Sequence, residues 1–260
     1  MHNKVYLLLL FLTICIVGRG QRFNFKTYNE NEGLAQAQVL AMCQDNDGYL
    51  WFGTLAGGIS KFDGINFVNY TIKDGLSSNS VKYIFKDKKG TIWVGTWDGL
   101  NKYIPPNLSS SIKGKFHHIS KDTIFAASGI ETICEDDKGN FLLASHRAGI
   151  LVYNPEKDSL YKITEKEGLA SNHLHSIVSS QPGVFWIGTG KGLQKYDGTN
   201  FTLFTKENGL SGDHIHMLYC DTRGNLWITT SAGGIDFFNG TTFKHFTLKI
   251  PSQDDNFLCL

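Results

Sequence analysis

Gly75-Leu76 … Asp87-Lys88-Lys89-Gly90-Thr91-Ile92-Trp93-Val94-Gly95-Thr96 … Gly99-Leu100-Asn101-Lys102-Tyr103 is one copy of a block that the chain writes five times. The copy before it reads Gly33-Leu34 … Asp45-Asn46-Asp47-Gly48-Tyr49-Leu50-Trp51-Phe52-Gly53-Thr54 … Gly57-Gly58-Ile59 … Phe62-Asp63-Gly64. Gly33 to Gly75 spans 42 residues, Gly75 to Gly168 spans 93 (two copies, one with an insertion), and Gly168 to Gly209 spans 41. Repeats of about 40 residues mark solenoids, propellers and arrays. What the copies share is scaffold, so function is sought where they differ.

Each copy holds four short strand signals separated by turn chemistry. The first strand follows Gly-Leu, at 39–44, 81–86, 130–135, 174–179 and 215–220. A turn opening on Asp and closing on Gly comes next, as in Asp45-Asn46-Asp47-Gly48. Asp accepts backbone hydrogen bonds there, and Gly supplies the positive φ. The second strand carries Trp51, Trp93, Trp186 or Trp227, and the third runs into Lys-Phe or Lys-Tyr. Asp63-Gly64, Asp197-Gly198 and Asn239-Gly240 predict type I′ hairpins into the fourth strand. Four antiparallel strands with apolar residues on both faces describe a β-propeller blade. One Trp per copy at one scaffold position reads as core. The third copy is degenerate: Phe141-Leu142-Leu143-Ala144-Ser145 replaces the Trp and Gly-Thr, and an insertion, 105–115, precedes it.

The expectation is thus an all-β chain: a β-propeller of four-stranded antiparallel blades, five repeats, open or incomplete. The repeats run over about 32–74, 75–127, 128–167, 168–208 and 209–247. Phe23-Asn24-Phe25-Lys26-Thr27-Tyr28 matches the fourth-strand pattern and reads as an extra outer strand at 23–28, one more than five closed blades need. Residues 248–260 read as a C-terminal tail, and the chain as the N-terminal part of a longer propeller or a product cut short. Open arcs expose strand edges and blade faces, which leaves self-association or pairing with further blades open.

The apolar run 5–17, preceded by His2 and Lys4 and followed by Gly18-Arg19-Gly20, predicts a signal peptide over 1–20 and a periplasmic or extracellular mature chain. The run is too short for a comfortable membrane span, which needs about 20 residues. With 25 basic and 24 acidic residues the net charge is +1, and no basic patch offers a footprint for nucleic acid. Cys43 and Cys134 share a slot that takes Phe85 and Tyr219 elsewhere, so they read as small hydrophobes; neither a disulfide framework nor a metal motif is indicated.

The motifs Phe25-Lys26-Thr27-Tyr28, Gly75-Leu76-Ser77-Ser78-Asn79 and Ile92-Trp93-Val94-Gly95-Thr96 resemble the two-component regulator propeller repeats of the extracytoplasmic part of Bacteroidetes-type hybrid sensor kinases. The resemblance covers residues 23–247. It implies a ligand-sensing module of a two-component system that recognises carbohydrate fragments, without the output domains that the family carries on the same chain.

In a propeller, the loops between strands two and three and the loops between blades share one face, where rigid blades hold variable residues. Trp97 stands outside the scaffold Trp position, beside Asp98. A sugar or uronic acid suits an aromatic face with carboxylate and guanidinium groups nearby, here Trp97, Asp98 and Arg147. His146, Lys191, Asn79, His173 and His214 complete the candidate ligand-binding set, with turn capping as the default role of Asn79. No catalytic residue, metal site or cofactor is expected. The alternative is an enzyme: the repeat is distantly similar to that of the virginiamycin B lyase family, in which histidines and a metal perform an elimination. His173, His175, His214 and His216 are the candidates, although His175 and His216 fall inside strands, where Lys82 and Ala41 stand, and read as filler. A third alternative is a truncated remnant acting only as an interaction surface.

Overall fold

Twenty strands form five separate sheets in the computed structural model, which describes residues 25–107, 113–119 and 128–247. Blade 1 holds β1 (Val39–Gln44), β2 (Leu50–Thr54), β3 (Ile59–Phe62) and β4 (Phe67–Tyr70). Blade 2 holds β5 (Val81–Lys86), β6 (Ile92–Thr96), β7 (Gly99–Ile104) and β8 (Lys115–His118). Blade 3 holds β9 (Ile130–Glu135), β10 (Phe141–Ser145), β11 (Ile150–Asn154) and β12 (Ser159–Ile163). Blade 4 holds β13 (Leu174–Gln181), β14 (Val184–Thr189), β15 (Gly192–Tyr196) and β16 (Phe201–Phe204). Blade 5 holds β17 (Ile215–Cys220), β18 (Leu226–Thr230), β19 (Ile235–Phe238) and β20 (Phe243–Phe246). Every blade is an antiparallel meander in sequence order, the architecture expected of the repeat.

The sequence period has a side-chain cause. In blades 1, 2 and 5 the indole N–H donates to the Asp six residues before it, at 2.8 Å for Trp51 to Asp45, 2.8 Å for Trp93 to Asp87 and 3.4 Å for Trp227 to Asp221. In blade 4 Ser180 accepts from Trp186 at 3.2 Å. The turn acid therefore both closes the turn and satisfies the indole donor, which would otherwise be buried without a partner. Leu142 takes the Trp place in blade 3, and Asp136 binds the Asn140 side chain instead. The glycine of Gly-Thr has a steric reason: a Cβ on Gly95 would stand 2.8 Å from Ile130 Cγ2 of the next blade.

Apolar clusters lie at each interface between consecutive blades, for example Trp51, Tyr70, Ile84 and Tyr103 between blades 1 and 2. Inner strands abut in the series β1–β5–β9–β13–β17, and no comparable contact joins β17 to β1. The arc is open, and its end faces show it. Met42 is 71% exposed, whereas its counterparts Ile84, Ile133, Ile177 and Leu218 are at most 5% exposed. At the other end Tyr219 and Phe246 stand exposed. Cys43, Cys134 and Cys220 are free thiols, and burial pushes the Cys134 thiol up.

Two sequence readings need revision. Asp63-Gly64, Asp197-Gly198 and Asn239-Gly240 are not type I′ turns, because Phe62 pairs with Phe67, which makes the first a four-residue loop. Its Asp63 carboxylate accepts the Ile65 and Asn66 amides at 2.8 and 2.6 Å. Residues 25–29 pair with no strand; Tyr28 instead packs edge-on against Phe62 and Phe67. A strand laid on that edge needs a neighbouring blade to pair with. The fourth strands of blades 1, 3 and 4 end before a one-turn 3₁₀ element, such as Ile72–Asp74, closed by a capping box from Thr71 and by Gly75 at φ 96°. The expected signal peptide at 1–20, residues 23 and 24, the middle of the 105–115 insertion and the tail at 248–260 lie outside the described residues.

Candidate functional site

A β-bulge interrupts the pairing of the inner strand at the same place in all five blades, between Val39 and Ala41, Val81 and Tyr83, Ile130 and Thr132, Leu174 and Ser176, and Ile215 and Met217. The residue left over is Leu40, Lys82, Glu131, His175 or His216. A bulge re-aims its extra side chain out of the ladder. Here it aims four of them at the loop residues above the inner strands.

Lys82 Nζ lies 5.2 Å from the Trp97 ring. Trp97 is 42% exposed and its ring centroid is 5.1 Å from that of His146. His146 Nε2 is 3.2 Å from His173 Nε2, and Glu131 Oε1 stands 3.5 Å from His146 Nδ1, too far for a hydrogen bond. The row continues with ring centroids 4.8 Å apart for His173 and His175, 4.7 Å for His175 and His214, and 4.9 Å for His214 and His216. One aromatic face and five imidazoles thus form a continuous strip across blades 2 to 5.

Burial disfavours the charged form of His146, His173, His175 and His216. Desolvation, then the charges of Arg147 and Lys82, lowers the His146 pKa, and desolvation with His146 lowers that of His173. His175 is pushed down to about 4 by burial and the surrounding imidazoles, and His216 is lowered by burial and His214. Burial raises the Glu131 carboxyl against the opposing pull of Lys82 and His173. A neutral imidazole offers one donor and one acceptor. His146 Nδ1, His175 Nε2 and His214 Nδ1 are buried without a hydrogen-bond partner, so the strip holds unused capacity. No group of three His, Cys, Asp or Glu among the described residues is arranged to hold a metal ion.

The structure brings together four of the sequence candidates, Trp97, His146, His173 and His214. Asp98 sits instead by His118, whose pKa it raises against the larger effect of burial. Arg147 is exposed beside His146, and Lys191 reaches Glu165 at 4.0 Å on the surface. Asn79 is committed to the scaffold: its side chain accepts the Ile72 amide at 2.9 Å and its carbonyl accepts the Gly58 amide at 2.9 Å. Asn172 and Asp213 do the same for Glu165 and Lys206. Sequence reasoning missed Lys82 and Glu131 and took His175 and His216 for filler. The register equates Lys82 with Leu40, not Ala41. The signal was there: one inner-strand position reads Leu, Lys, Glu, His, His while its preceding neighbour is always Val, Ile or Leu.

The family described as two component regulator propeller matches residues 33–56, 75–98 and 209–232, in blades 1, 2 and 5. Histidine kinase P4 of Formosa agariphila is 40% identical over 58 residues, which cover 22% of this chain and 4% of that protein. The extracellular domain of a putative hybrid two-component system from B. thetaiotaomicron superposes with a TM-score of 0.71 at 23% identity, over 84% of this chain and 31% of that one. Virginiamycin B lyase from Staphylococcus aureus superposes with a TM-score of 0.66 at 14% identity, over 90% of this chain and 76% of that one. Both structural likenesses are of fold, and the chain spans about a third of the sensor domain it resembles. Three of the five blades, the first, second and fifth, thus match the two component regulator propeller repeat.

Proposed function

We propose that this chain is the ligand-sensing part of a two-component signalling system, exported from the cytoplasm, and that the Trp97–imidazole strip receives a carbohydrate fragment. The observation that carries the reading is the strip itself: an exposed indole face continuous with buried imidazole nitrogens that have no partner. A sugar ring stacks on the indole, and its hydroxyls match neutral groups that each donate and accept. The repeat family and the sensor-domain neighbours support a sensing role, and the exported setting is supported by those neighbours being extracellular domains. The module binds and does not catalyse.

The test is calorimetric titration of the protein with a panel of plant and host oligosaccharides, repeated on Trp97→Ala and His175→Ala. Saturable binding to one glycan, lost in both variants at unchanged melting temperature, supports the reading; a glycan that binds both variants like the parent refutes the site. The histidine strip also favours one second reading, a lyase-like elimination, since a neutral imidazole is a general base. Incubation with quinupristin, the compound bound to the S. aureus lyase, decides it: consumption of the compound establishes an enzyme.

A further inference from the structure

In blades 1, 2 and 4 the scaffold indole lies under an ammonium from its cross-strand partner. Lys61 Nζ is 5.1 Å from the Trp51 ring, Lys102 5.4 Å from Trp93 and Lys195 5.9 Å from Trp186. A cation at this range over an indole face is attracted by the ring quadrupole. The pairs occupy one register position: Trp51 opposite Lys61, Trp93 opposite Lys102, Trp186 opposite Lys195. In blade 3 the same position is Leu142 opposite Val152. Both partners have been exchanged together, ring and cation.

The acid that accompanies the pair has stayed. In blade 1 Asp45 takes the Trp51 N–H and stands 3.9 Å from Lys61 Nζ. In blade 3 Asp136 meets only turn groups, the Lys138 and Asn140 amides and the Asn140 side chain, while Lys88 reaches its backbone carbonyl and not its carboxylate. A cavity of about 410 Å³ opens here between blades 3 and 4, at the edge of the blades opposite the inner-strand bulges. That volume is in the usual range of small-molecule sites, about 300–1,000 Å³. Leu142, Val152 and Phe185 give it an apolar floor, and Tyr161 and Tyr196 give it aromatic walls. Three acidic residues, Asp136, Asp137 and Asp197, line it with one basic residue, Lys138. The corresponding cavity between blades 1 and 2, about 470 Å³, balances Asp45 and Asp47 with Lys61 and Lys89. The cleft of blades 3 and 4 therefore keeps the acids and the aromatic walls and lacks the built-in cation.

We propose that this cleft is a second ligand site, distinct from the Trp97 strip, for a small organic cation with a flat apolar body, an aromatic amine. The ring stands against Tyr161 and Tyr196, above Leu142 and Val152 where blades 1 and 2 hold an indole, and the ammonium stands against the acids where those two blades hold a lysine. A neutral ring of the same shape gains the apolar contact alone, and an anionic one is repelled.

The probes are tryptamine, its neutral analogue tryptophol and the anion indole-3-acetate, titrated into the whole chain by calorimetry. Tryptamine is expected to bind, tryptophol about tenfold more weakly for the loss of one charge contact, and indole-3-acetate not at all. Val152→Lys restores the internal cation and is expected to abolish tryptamine binding, whereas Trp97→Ala leaves it unchanged. Asp197→Asn keeps the side-chain oxygen that accepts the Thr199 and Asn200 amides and removes the charge, so it weakens tryptamine and spares tryptophol. Equal binding of tryptamine and tryptophol, no binding of tryptamine at millimolar concentration, or full binding by Asp197→Asn would each overturn the proposal, and the last two readings stand even if Val152→Lys does not fold.

Discussion

His146 at the tip of blade 3 and His173 at the entry to blade 4 bring their Nε2 atoms to 3.2 Å across the blade boundary. A contact between two such nitrogens needs a proton on one and a lone pair on the other, so it is lost once both rings are protonated. The link ties the loop after β10 to the loop before β13, and it makes the strip sensitive to protonation.

Acid should therefore loosen the chain before its carboxylates titrate. His175 takes its proton near 6.5 when unfolded and only near about 4 in the fold. A lowered histidine pKa contributes stability above the unfolded value, and that stability is lost as pH falls from 6.5 toward 4. Allowing for the part of the ring that stays solvated, the expected loss is on the order of 1–2 kcal/mol. His146, His173 and His216 shift in the same direction and add to it. Urea midpoints at pH 7.5 and 4.5 should differ, and His175→Gln should narrow the gap; an equal gap in the variant would assign the acid sensitivity elsewhere.

Asp87→Ala removes the acceptor of the Trp93 indole together with the turn contacts to the Lys89 and Thr91 amides, at 2.8, 3.0 and 2.7 Å. Trp93 stays buried and its donor is left without a partner. The expected cost is about 1–3 kcal/mol, read from chemical unfolding, and Asp87→Asn should recover part of it.

Two glycines of similar conformation should respond differently to alanine. Gly75 has φ 96°, and an added Cβ would collide with the Phe116 carbonyl oxygen. Gly48 has φ 88° and open space around it. Gly48→Ala should cost about 1 kcal/mol of backbone strain, and Gly75→Ala should cost clearly more, because backbone must move. Melting temperatures of the two variants decide; equal losses would mean that conformation alone matters.

Asn79→Ala should lower stability by about 0.5–2 kcal/mol, as the loss of a capping acceptor does, without weakening any ligand held at the Trp97 strip. Calorimetry on the same sample reads both quantities. A ligand lost together with the side chain would return Asn79 to the site.

The blade plan was legible because its signals are local and repeat. The turn Asp and the Trp recur at fixed spacing, and the structure adds that one hydrogen-bonds the other. The hairpin reading failed at Asp63-Gly64 because a dipeptide names a turn only when the strands close on it. Here Phe62 and Phe67 close two residues further apart, and Asp63 acts through its carboxylate. Thr71-Ile72-Lys73-Asp74-Gly75 spells a capping box, but it directly follows an apolar strand and reads as its end. The candidate site was half visible. Trp97, His146, His173 and His214 differ from their counterparts in loops, where difference attracts notice. Lys82, Glu131, His175 and His216 sit within strands, and a bulge leaves no mark in the alternation around it.

That bulge gives the scaffold one exchangeable letter per blade. Leu40, Lys82, Glu131, His175 and His216 lie outside the pairing count, so replacing any one breaks no strand pair. Five such letters lie side by side, each on its own rigid carrier. A lineage can respell the binding face one blade at a time while the architecture beneath stays the same.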